Sequence, residues 1–107
     1  MKLQETEARR MAEGMADICK EINIYYQEVE CRGYTSDEQG MRRQMAMLEG
    51  YEKALTTLGV SYMETMDGNS DYYWSVEVSG IRVPVANVPE YAREGGEHEH
   101  TVGRPVT

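Results

Sequence analysis

The chain has 107 residues, with 19 acidic against 11 basic side chains and a formal charge of −8. That balance argues against direct nucleic-acid binding, because neutralising phosphates requires clustered Lys and Arg. The length sets one domain with a modest core, and no apolar run approaches the ~20 residues of a membrane span.

Chemistry changes along the chain with the hydrophobic period, which is helical before Gly59 and strand-like after it. Ala8, Met11, Met15, Ile18, Ile22, Tyr25 and Val29 recur at steps of three and four. They predict one long amphipathic helix, roughly from Leu3 to Glu30. Its weak point is the β-prone run from Ile24 to Val29. Arg32, Gly33 and Tyr34 break the pattern. Thr35 to Glu38 then reads as a T-x-x-E capping box, with Ser36 to Gln39 as the adjacent alternative. Met41, Met45, Leu48, Tyr51, Leu55 and Leu58 form the stripe of a second helix, and Gly59 stands where a left-handed C-terminal cap falls. A short connector makes the two helices antiparallel neighbours. Gly14 and Gly50 come to similar heights in such a hairpin.

From Val60 the pattern alternates. Tyr72 to Val78 and Ile81 to Val85 flank Ser79-Gly80, which predicts a hairpin with a two-residue turn. Pairing outward from the turn sets Val78 against Ile81, Val76 against Val83 and Trp74 against Val85, with Glu77 meeting Arg82 on the other face. Pro84 marks an edge. The cluster from Asp67 to Asp71 is a turn, making Val60 to Met66 the first strand of a three-stranded meander. Its register stays open: a five-residue loop turns Val60, Tyr62 and Glu64 inward, a four-residue loop Ser61, Met63 and Thr65. The reading is α+β, an N-terminal helical hairpin followed by an antiparallel β-meander (ααβββ), as one domain over 1–88. Residues 89–107 read as a flexible acidic, His-containing tail. The sheet is expected to pack on the hairpin through Trp74, Val76, Val78, Ile81 and Val83.

Candidate chemistry is sparse. Cys19 and Cys31 are twelve positions apart, about 18 Å on a continuous helix and beyond disulfide reach. With a start too polar for a secretory signal, a cytoplasmic, reduced protein is expected. Cys19 reads as a small apolar filler beside the helical stripe. His98, Glu99 and His100 are the only histidine cluster, but no further ligand is fixed nearby by spacing, so no metal and no cofactor are expected. Nucleotide-binding and common hydrolase signatures are absent, and no catalytic residue is assigned. The helix-helix-hairpin order also occurs in winged-helix DNA binders, but here the helices are long and the wing is acidic.

The segment from Ala54 to Ile81 holds Glu64, Asp67, Asp71 and Glu77 and no basic residue. Together with Tyr62, Tyr72 and Tyr73 these form a candidate acidic, Tyr-rich binding surface. The functional expectation is a small non-enzymatic interaction module docking on a basic, nucleic-acid-binding protein. Compact acidic chains of this kind are common among small inhibitors and regulators encoded by phages and mobile elements. The alternative is a small-molecule-binding module with a pocket lined by Tyr, Met and Trp74 between helices and sheet. A helix of ~40 Å is longer than the ~20–24 Å strands can cover. A homodimer forming a four-helix bundle is therefore expected, through Ala8, Met11, Met15, Leu48, Tyr51 and Leu55.

Overall fold

The first helix, α1, runs unbroken from Glu5 to Arg32, and the β-prone run near its end stays helical. The computed structural model describes residues 2–32, 38–67, 72–86 and 99–104, with 29–32, 67 and 99–104 described by backbone alone. Acidic Glu5 and Glu7 occupy the first turn of α1, where they complement the positive end of the helix dipole. The expected stripe is buried at Ala8, Met15, Ile18 and Ile22 and half-buried at Met11 and Tyr25, but Ala12, Ala16, Cys19 and Asn23 are buried as well. The stripe widens because α1 is sandwiched: it packs against α2 on one side and against the sheet on the other.

The second helix, α2, spans Glu38–Leu58; the residues proposed for its capping box at 35 and 36 lie outside the described ones. Only Leu48 and Leu55 are buried, while Met41 and Tyr51 pack half-buried against the core. Two tyrosines join the helices reciprocally. A Cβ built on Gly14 would lie 2.7 Å from the Tyr51 hydroxyl, and one on Gly40 would lie 2.5 Å from that of Tyr25. Each helix thus sends a tyrosine across to a glycine of the other. Nothing approaches Gly50, so of the glycines first aligned by height only Gly14 marks close contact.

α2 ends as its sequence predicts. Gly59 adopts φ 70°, its N–H donates to Thr56 O at 3.1 Å, and the Val60 N–H donates to Leu55 O at 2.9 Å. This is the Schellman pattern, completed by its usual apolar pair, since Leu55 and Val60 are both fully buried. Exposed pairs Glu5–Arg9, at 3.8 Å, and Glu38–Arg42, at 2.8 Å, add a few tenths of a kcal/mol each at most.

The sheet contains the predicted meander of β1 (Tyr62–Asp67), β2 (Tyr73–Val78) and β3 (Ile81–Pro84). Ser79 and Gly80, at φ 51° and 86°, make the tight turn with two left-handed residues that suits strand twist. Ser79 Oγ also accepts the Leu3 N–H at 3.1 Å, tying the start of the chain to this turn. The hairpin register is the one expected, with Val78 opposite Ile81, Val76 opposite Val83 and Glu77 opposite Arg82, and the Val85 N–H bonds to Trp74 O at 2.9 Å. β1 pairs with β2 so that Tyr62 faces Val78 and Glu64 faces Val76. Of the two open registers for β1, the inward set is therefore Val60, Tyr62 and Glu64.

Two expectations need correction. The register slips by one between Thr65 and Met66, so that Met66 faces Tyr73 and not Trp74. The extra residue is a bulge, and it moves Tyr73 onto the core while Trp74 is not among the side chains packed there. Asn23 of α1 holds this kink: its Nδ2 donates to Tyr73 O and its Oδ1 accepts the Tyr73 N–H, both at 2.9 Å. Secondly, Glu99–Arg104, expected within an unstructured tail, forms strand β4 antiparallel to β1, giving the order β3-β2-β1-β4. Backbone pairing to an otherwise open edge supplies what this polar segment lacks in apolar content. The remainder of the expected tail lies outside the described residues.

Candidate functional site

The meander distributes the proposed acidic, Tyr-rich surface quite differently from what alternation implied. Tyr72 is fully buried, its ring edge-on to Tyr26 with centroids 6.1 Å apart and planes at 69°. Tyr73 and Tyr62 are half-buried against the core, and Glu64 is only 1% exposed. Glu77 remains on the far face of the sheet, opposite Met63 and Arg82. There Arg82 Nε donates to Ser75 Oγ at 3.1 Å. The Asp67 backbone closes β1, opposite Glu99 of β4; Asp71 lies outside the described residues. Four of the seven residues thus turn partly or wholly inward.

The inward shift of Glu64 creates the most unusual chemistry in the molecule. Burial pushes its carboxyl up to about 9, helped by a hydrogen bond to the Glu52 side chain of α2 and by that group's charge. Two carboxyls can share a hydrogen bond only if one of them keeps its proton, so the pair carries one negative charge fewer than its formula. Glu64 Oε2 is buried and has no hydrogen-bond partner among the described residues. Around the pair, the Cys19 thiol and the Tyr73 phenol are both pushed up, first by burial and then by the neighbouring Glu64. This pocket of the interior is therefore rich in protons. Cys19, free and buried, offers no thiolate for nucleophilic chemistry.

The pair lies behind an open groove of about 370 Å³ between α2 and the start of β1, lined by Glu49, Glu52, Lys53, Thr56, Thr57 and Tyr62. Glu52 belongs to both: it lines the groove and bonds Glu64. A second groove, about 460 Å³, follows the α1–α2 seam past Asp17, Lys20, Glu21, Gln44 and Met47. The interval between α1 and the sheet, where a Tyr/Met-lined pocket with Trp74 was the alternative, holds Met15, Ile22, Tyr26 and Tyr73 as packed core. Among the described residues no three of His, Cys, Asp and Glu come together as a metal set; His98 lies outside them, and Glu99 and His100 are described by backbone alone.

Of the proposed dimer contacts, Ala8, Met15, Leu48 and Leu55 are buried inside their own chain and Met11 and Tyr51 half-buried. Among the described residues the large apolar side chains left exposed are Met45, Met47 and Leu58. Among the described residues no helix is long and apolar enough to cross a membrane.

Neither protein-family models, nor curated proteins, nor solved structures yield a match to this chain. Sequence reasoning missed the carboxyl pair, although one of its two registers for β1 did turn Glu64 inward. The available signal was that a charged residue shared a phase with Val60 and Tyr62.

Proposed function

We propose that the chain is a small acidic, non-enzymatic interaction module that docks on a basic protein, in the manner of an inhibitor or regulator. The observation that carries this reading is the β1–β4 register, which sets Asp67 directly opposite Glu99. Two acidic residues at facing register positions bring two formal negative charges to this end of the β1–β4 pair, which favours a basic partner. Charge is also unevenly spread along the sequence. Residues 1–58 hold eleven acidic and eight basic residues, whereas Asp67 to Glu99 holds seven and two. The N-terminal part is thus closer to balance, and the larger excess lies in the C-terminal part of the sequence.

Binding driven by this excess must weaken with salt, because exposed charges are screened within ~8–10 Å at physiological ionic strength. The test is titration of the full chain with an octalysine peptide at rising salt. Steep loss of affinity with salt, and weaker binding by the Asp67→Asn, Glu99→Gln double variant, are expected. Salt-independent binding, or none, removes the reading. Self-association belongs to the same proposal, with Met45, Met47 and Leu58 as the apolar surface left for it. Sedimentation equilibrium at micromolar concentration decides that part, since a single species near 12.2 kDa would end it.

A further inference from the structure

The Glu52–Glu64 pair has an unanswered need. Glu64 is 1% exposed and, among the described residues, its Oε2 has no partner, in a core built mainly from Ala, Met, Ile, Leu, Val and Tyr. A glutamine at 64 would donate to Glu52 without ever risking a buried charge. A carboxyl is the costlier choice, and it differs from the amide in one respect: it can give up its proton to a cation that takes the proton's place. We infer that the Glu52–Glu64 pair is a socket for one ammonium group, the tip of a lysine side chain on the basic partner, entering through the groove between α2 and β1.

The groove fits such a guest in several ways. Glu52 joins it to Glu64, so a cation reaching Glu52 comes within one carboxyl of the orphan oxygen. The Tyr62 side chain on the groove wall gives the apolar stem of a lysine a surface to lie on. An ammonium has three donors and no acceptor, enough to serve Glu52 and Glu64 Oε2 together. A guanidinium prefers both oxygens of one carboxylate in a planar fork, which Glu64 cannot present while one of its oxygens is engaged by Glu52.

Among the residues whose side chains are described, the groups facing Glu64 are Cys19 from α1, Tyr73 from β2 and Glu52 from α2, and none is a cation; on β4 the register sets Val102 opposite Glu64, with His100 and Arg104 two positions to either side. Lys53 stands on the groove rim one turn after Glu49, a spacing at which the two side chains meet. On binding, the Glu64 O–H gives its proton to solvent and the ammonium keeps its own three. No covalent bond changes.

This inference rests on the reading of a basic partner, and its test separates the two. The full chain is titrated by calorimetry at about pH 7 with Nα-acetyl-lysine N-methylamide, in two buffers of unlike ionisation enthalpy. Release of about one proton per bound ammonium is expected, together with roughly tenfold weaker binding of the arginine analogue. Glu64→Gln should abolish the proton release, with Glu52→Gln as the second variant should the first fail to fold, while Glu77→Gln on the far face should leave it unchanged. Binding without proton release, or unaltered by Glu64→Gln, overturns the socket. If octalysine still binds both wild type and Glu64→Gln with a steep salt dependence, docking on a basic partner survives and the socket does not. If neither ligand binds, both readings fall.

Discussion

The two helices look alike in sequence, each with an apolar stripe at steps of three and four, yet they do different work. α1 buries Ala8, Ala12, Met15, Ala16, Ile18, Cys19, Ile22 and Asn23, whereas α2 buries Leu48 and Leu55 and leaves Met45, Met47 and Leu58 exposed. The difference lies in position. α1 is the central layer between α2 and the strands β2 and β3, so it needs an apolar face on two sides and small residues where the neighbours come close. α2 is an outer layer with one neighbour along most of its length. A stripe in the sequence shows that a face will be covered; its width, set by residues such as Ala12, Ala16 and Cys19 beside the main line, tells how many layers cover it.

The largest effect should come from setting the two helices against each other. Ile22→Ala removes a fully buried side chain from the central layer and should cost about 2–5 kcal/mol. Leu58→Ala, at a position 52% exposed, should stay within about 0.5 kcal/mol. Urea denaturation measures both. Equal shifts in midpoint would mean that α1 is not the central element.

Glu64 sharpens the comparison from the seam where α2 meets β1. Its carboxyl is raised from 4.5 to about 9 in the fold, first by burial, so the folded state holds a proton that the unfolded chain releases. The contribution to stability is therefore fully present below about pH 4.5 and is lost as pH rises toward 9, at a slope of up to ~1.4 kcal/mol per pH unit. Wild type should be more stable at pH 5 than at pH 8. In Glu64→Gln this component of the slope should vanish, and the variant should be the more stable of the two at pH 8. Thermal melts at several pH values read this directly, and parallel slopes for the two proteins would show that Glu64 is ionised in the fold.

What was legible in the sequence follows the same physical divide. The β2–β3 register could be read because a two-residue turn fixes the phase and leaves no freedom to slip, and Gly59 could be read because a left-handed cap requires that residue type. The facing of β1 was narrowed to two sets and no further, since a loop of uncertain length fixes no phase. The exchange of Trp74 for Tyr73 was invisible, because a bulge adds a residue without a marker of its own, and the side chain that holds it, Asn23, lies fifty positions away. β4 escaped notice for a different reason. Its Glu, His, Thr and Gly residues show no apolar alternation, and what places it is backbone pairing to the edge of β1.

The smallest effects, and the finest test of inner against outer layers, come from three helical glycines. In an exposed helix interior Gly→Ala gains up to ~1 kcal/mol from backbone entropy and propensity. Gly50 is exposed with nothing within 4 Å of an added Cβ, so Gly50→Ala should realise most of that gain. At Gly14 the added carbon would meet the Tyr51 hydroxyl at 2.7 Å and the ring carbon behind it at 3.3 Å. Tyr51 borders the open α1–α2 groove, so its tip can swing aside, and gain and loss should nearly cancel. At Gly40 the Tyr25 hydroxyl is 2.5 Å away and two ring carbons are at 2.9 and 3.2 Å, so the whole ring must move and the contact between the helices must loosen. Gly40→Ala should therefore be destabilising, giving the stability order Gly50→Ala, Gly14→Ala, Gly40→Ala from highest to lowest. A Tyr25→Leu background removes the hydroxyl that crowds Gly40 and should bring Gly40→Ala up toward Gly50→Ala. If it does not, the penalty at Gly40 lies in the backbone, and the reciprocal tyrosine contacts are not what sets the spacing of the two helices.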